Sequence, residues 1–237
     1  MIRNELDQAC LSLLNDVEQY IAIDFVQQDT PPYGFQVTER TTNHLPKTGR
    51  VFYYQPINSA KIAHELLHAK IDYFLGNGMC IYKYAQNIDV LNSLFDYNMC
   101  ADFTNQTAHK IFYKEYAAMG YSPENFVEGV HWDTQGWNAL KLRWKKTPKE
   151  NQLVDIKNFI LAITHIMLFP IDNRFAYIER EMKHMERDLF AIFKKFRDII
   201  ETLQIRATDG DKMEQAYMAF IKDIHSWGTK NNIIHSK

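Results

Sequence analysis

Cysteine is scarce in this chain, and the three that occur, Cys10, Cys80 and Cys100, form no paired framework and no Cys-x-x-Cys unit. That pattern suits a reducing compartment, with the thiols expected in the core. Long apolar runs are also missing. The longest, Phe159 to Ile171, is broken by Thr164, His165 and Pro170 and is too short to span a bilayer. Met1 to Gln19 carries early acids and lacks the apolar h-region of a secretory signal. A soluble, cytoplasmic protein with no membrane partner is therefore expected. Charge of one sign is missing too, since the formal net charge is only −2. Nucleic acid is not an expected partner, and the basic stretch Lys141 to Lys149 reads as solvated surface. No internal repeat or low-complexity segment occurs.

What is present is ample apolar material, 46 % of 237 residues, enough for a large packed core. Leu6, Ala9, Cys10, Leu13, Leu14, Val17, Tyr20 and Ile21 recur at helical spacing, so an amphipathic helix opens the chain. Asp29 to Gly34 breaks it. Phe35 to Thr42 and Arg50 to Gln55, separated by the turn-prone Asn43 to Gly49, read as two short antiparallel strands. Asn58 or Ser59 then caps a helix running to about Leu75, stopped by Gly76 and Gly78.

That helix carries His64-Glu65-Leu66-Leu67-His68. Residues four apart share a helix face, so His64 and His68 can offer two imidazole nitrogens to one metal ion, zinc by the chemistry of such motifs, with Glu65 as general base. Ile62, Ala63, Leu66, Leu67, Ile71, Phe74 and Leu75 make the helix largely buried, so its polar groups need partners that a metal and a water would supply.

From Met79 to Met119 there is neither glycine nor proline, which predicts one or two helices ending at Gly120. Asp102, Asn105, His109 and Tyr113 form a polar column there, and Phe103, Ile111, Phe112 and Tyr116 lie elsewhere around the axis. The column reads either as a solvated face or as the source of a third metal ligand, His109, with Tyr113 beside it. Ser122-Pro123-Glu124 starts another helix. Glu128 to Trp137 reads as a loop lining a cleft, with His131 a candidate for substrate contact. Thr147 to Asn151 is the expected boundary between a domain over 1–146 and a helical subdomain over 150–228. The latter should hold helices over Leu153–Leu168, Asn173 to about Leu203 and Met213–Trp227, with His165, His184 and His225 isolated. Its apolar stripes suit packing within the chain, a second copy or a protein partner.

The strands before the motif, His64-Glu65-Leu66-Leu67-His68-Ala69, and the downstream Asn105-Gln106-Thr107-Ala108-His109 with Tyr113 and Met119-Gly120-Tyr121 resemble the small zincin-type metallopeptidases, particularly compact intracellular bacterial domains. The likeness covers roughly 35–121. It implies an α+β, mostly helical fold: a zincin-like core with a short antiparallel sheet before the motif helix, plus the C-terminal helical subdomain. It also implies zinc-dependent hydrolysis of a peptide or protein substrate. In those relatives an acid precedes the downstream histidine, where this chain has Ala108, leaving His109 or Asp102 as third ligand. Tyr113 or His131 would steady the oxyanion, and Arg50 to Gln55 would be the strand edge that pairs with substrate. Two other readings stay open: a decayed zincin fold serving as a regulatory or interaction protein, and a helical bundle using metal for other chemistry.

Overall fold

The computed structural model describes residues 2–42, 45–76, 78–126, 134–146, 152–168 and 175–233. Among these the chain is mostly helical, with one three-stranded sheet. It divides into two compact units that alternate along the sequence. The first comprises Met1–Asn77, Phe112–Val130 and Gln204–Gly210; the second comprises Gly78–Ile111, His131–Leu203 and Asp211–Lys237. The boundary expected at Thr147 to Asn151 lies outside the described residues.

In the first unit, α1 (Gln8–Val17) is capped by Asp7, whose side chain accepts from the Cys10 N–H, and it buries Cys10, Leu13, Leu14 and Val17. The helix stops at Val17 rather than Ile21. The chain then enters β1 (Ala22–Gln27), a strand that sequence periodicity misses. β2 (Gly34–Arg40) and β3 (Pro46–Tyr53) follow, and the order across the sheet is β1-β3-β2. β2 is antiparallel to β3 as expected, but β1 is parallel to it, so the sheet is mixed.

This order corrects a further expectation. β3 is the central strand: Val51 pairs with Phe25 on one side and with Phe35 on the other. Its main-chain hydrogen bonds are used within the sheet, so residues 50–53 cannot serve as the edge that recruits an extended peptide.

α2 (Ser59–Phe74) is the motif helix. The Asn58 side chain caps it by accepting from the Lys61 N–H, and Ile62, Ala63, Leu66, Leu67 and Ala69 are fully buried. It packs against α1, β2 and β3. α5 (Tyr97–Ala118) is one unbroken helix of 22 residues, counted with the first unit from Phe112 onward. Gly120, at φ 86°, supplies the left-handed turn that ends it and leads to α6 (Pro123–Phe126), which packs on α2.

The second unit is helical throughout its described residues. Besides the start of α5 it holds α3 (Cys80–Ala85), α4 (Asp89–Leu94), α7 (Thr134–Trp144), α8 (Leu153–Met167), α9 (Ala176–Met185), α10 (Arg187–Ile200) and most of α11 (Gly210–Lys230). Phe103 and Phe220 stack at 4.7 Å in its core, with Phe193, Phe196 and Tyr217 around them. Gly136 and Trp137, read as loop, lie inside α7. The long helix expected from Asn173 to Leu203 breaks at Glu186, where the backbone turns to φ −147° and ψ 90°. Among the described residues no helix is long and apolar enough to cross a membrane.

Candidate metal centre

His64 and His68 sit one turn apart on α2, and their Nε2 atoms are 3.2 Å apart. Two ligands of a tetrahedral ion with bonds of roughly 2.0–2.1 Å would lie about 3.3 Å apart, so the pair is already at chelating separation. The same distance suits an N–H···N hydrogen bond between two neutral rings. Burial, with His64 adding to it, holds His68 well below its usual pKa. A neutral imidazole keeps the lone pair a metal needs.

His109 stands three residues before Phe112 on α5. Its ligand atom and those of His64 and His68 all lie within 4.8 Å of one another, and among the described residues no other group of three His, Cys, Asp or Glu side chains meets that condition. Three imidazoles suit zinc, and also copper, iron or nickel.

The walls are aromatic. Phe112 meets His64 at 5.3 Å and His68 at 4.9 Å between ring centroids, both edge-on. Phe126 of α6 lies 4.8 Å from His64, and Tyr116 lies 6.3 Å from it. The expectation that Phe112 and Tyr116 face away from the site is therefore wrong. Offsets of three and seven residues from His109 return to the same helix face. That spacing was the available signal; no comparable signal marked Phe126.

The polar column separates into different environments. Asp102 receives a hydrogen bond from His165 Nε2 at 2.9 Å, so Asp102 is outside the imidazole group and His165 is not isolated. Asn105 is exposed. Tyr113 packs its ring on Phe126 at 4.9 Å. Tyr116 packs against His64, and its fully buried hydroxyl has no hydrogen-bond partner among the described residues. Burial pushes its pKa up, so it remains a proton donor. His131 lies outside the described residues.

Glu65 follows His64 directly. Burial raises its carboxyl to about 7, against a partial opposing pull from Lys61, which puts both protonation states within reach at neutral pH. Searches against protein-family models, curated proteins and solved structures find no match. The chemistry of the site accordingly rests on its own atoms: three clustered imidazoles, a carboxyl poised near neutrality, and a buried phenol with hydrogen-bonding capacity to spare.

Proposed function

We propose that the chain is a zinc-dependent metallopeptidase with a zincin-like core formed by the small sheet and α2, acting on peptide or protein substrates in the cytoplasm. The observation that carries this reading is the grouping of His64, His68 and His109 within 4.8 Å, with Glu65 next to the first of them. The three histidines would hold the ion. When bound, zinc supplies a Lewis acid that polarises the scissile carbonyl and acidifies water. Glu65 takes a proton from the attacking water and passes it to the departing amine. The Tyr116 hydroxyl joins Tyr113 as a group that would donate to the developing oxyanion. Phe112 and Phe126 keep the imidazoles in an apolar surround, where such charge interactions are strengthened.

Metal analysis of the purified protein should give about one zinc per chain, as a three-ligand catalytic site requires. Glu65→Gln should keep that zinc and lower peptide hydrolysis by about 10²–10⁴-fold, the usual contribution of a positioned base. A metal-free preparation that takes up no zinc would sink the proposal. One feature favours the binding-only alternative: Ala108 stands in sequence where the peptidases it resembles carry an acid. A cellular phenotype unchanged in Glu65→Gln would support that reading.

A further inference from the structure

The first unit holds a cavity of about 530 Å³ at the N-terminal end of α2, whose lining includes Asp7, Tyr33, Tyr54, Pro56, Ser59 and Tyr121. It is separate from the imidazoles but close to them. Ala60, also in its wall, precedes His64 by one helical turn, about 6 Å along the axis. Tyr121 packs on Tyr116 at 5.2 Å, and Tyr116 in turn packs on His64.

The walls are held in place by hydrogen bonds. The Tyr33 hydroxyl donates toward the Tyr54 carbonyl at 3.2 Å and accepts from the Asn58 N–H at 3.0 Å, which fixes its ring in the wall. Tyr33 and Tyr54 meet at 4.7 Å and 54°, forming an aromatic corner. Asp7 is fixed by the Cys10 N–H at 2.9 Å and the Tyr121 hydroxyl at 2.7 Å, both donating to Oδ1. No hydrogen bond to Oδ2 is made among the described residues.

Charge decides the class of ligand. Among the described lining residues Asp7 is the one acidic side chain, and no Lys, Arg or His accompanies it. The end of a helix can attract an anion. Here the Lys61 N–H is taken by the Asn58 side chain and the Asn58 N–H by Tyr33, while Asp7 would repel an anion. Tyrosine faces beside a carboxylate match a guanidinium or ammonium group on an alkyl stem, through cation–π contact and an ion pair.

We propose that this cavity is the specificity site for a basic side chain, arginine or lysine, of the peptide substrate. The inference rests on the metallopeptidase reading for its link to cleavage, but not for the binding itself.

The test uses the full chain and the probe Nα-acetyl-argininamide, titrated calorimetrically or by NMR, with Nα-acetyl-leucinamide as the neutral control. The arginine probe should bind and the leucine probe should not. Asp7→Asn keeps a good helix cap while removing the charge, and Tyr54→Ala removes one face; each should weaken binding about three- to fivefold. Equal binding of both probes, or an undiminished response in both variants, overturns the proposal. Digestion of a peptide library separates the two readings. Cleavage with no preference for a basic residue overturns the cavity assignment and leaves the peptidase standing. Absence of cleavage with selective arginine binding overturns the peptidase reading and supports the cavity.

Discussion

Around Phe103, the rings of Phe193, Phe196, Phe220 and Tyr217 close on one another; around His64, the rings of Phe112, Tyr116 and Phe126 close on imidazoles. Residues of α5 supply both clusters. In the first, Phe103, Phe193 and Phe220 are fully or almost fully buried, and the Tyr217 hydroxyl pairs with Thr107. In the second, paired imidazoles and a Tyr116 hydroxyl with no partner among the described residues are enclosed by the same kind of residue. An unmet buried polar group costs about 1–3 kcal/mol, so the second arrangement gives up stability that the first retains. Matching aromatic content thus encloses two different interiors: rings alone in one cluster, and imidazoles and a phenol hydroxyl in the other.

Several substitutions would break or sharpen that contrast. Phe103→Ala should have the largest effect, lowering stability by about 3–5 kcal/mol in denaturant titration. The zinc content of the folded fraction should not change, because the damage falls in the cluster without ligands. Next comes the His64→Ala/His68→Ala double variant. Zinc at a hundredfold excess over its Kd should stabilise the natural chain by about 2.7 kcal/mol, read as a rise in Tm, and that rise should vanish in the variant.

Tyr116→Phe should raise stability by about 1 kcal/mol, since it deletes a hydroxyl that no atom of the described residues satisfies. A clear loss of stability would show that the hydroxyl is bonded in solution and that the contrast is overstated. The smallest effect concerns a fully satisfied polar group of the second unit. Desolvation raises the Glu181 pKa, but hydrogen bonds from Lys141, Trp137 and Tyr177 outweigh it and hold the carboxyl at about 2. A group depressed on folding contributes stability above its unfolded value of 4.5, and that contribution fades as pH falls through about 2. In Glu181→Gln, this part of the acid dependence of unfolding should be gone.

The elements legible in sequence were those specified locally. Asn58 as cap, the buried face of α2 and Gly120 at the end of α5 each announce themselves within a few residues. β1 does not, because Ala22–Gln27 is extended by pairing with Thr48–Tyr53, more than twenty positions away, while the helical spacing of α1 continues into Tyr20 and Ile21. The early start of β3 is hidden by Gly49, which lies under the Phe35 ring where a side chain would collide. The break at Glu186 has a tertiary cause as well, since that buried carboxylate accepts from Trp227 Nε1 at 3.4 Å. In the imidazole cluster the motif marks His64 and His68, with Glu65 beside them in sequence, and helical spacing marks His109. The aromatic walls escaped because Phe112 and Tyr116 look like ordinary core residues until the direction of the core is known.

Lys70, two residues beyond His68, is bonded to Asp16 of α1 at 3.0 Å and to Glu115 of α5 at 2.6 Å. It pins the motif helix against the C-terminal part of the helix that carries His109. If the imidazoles hold an ion, as proposed, fixing those two rods beforehand would lower the ordering entropy that coordination costs. A stiff three-nitrogen frame would also favour ions content with tetrahedral angles over those that demand more ligands or a larger sphere. On that reading, a single lysine that touches no ligand atom would bear on which ion fits.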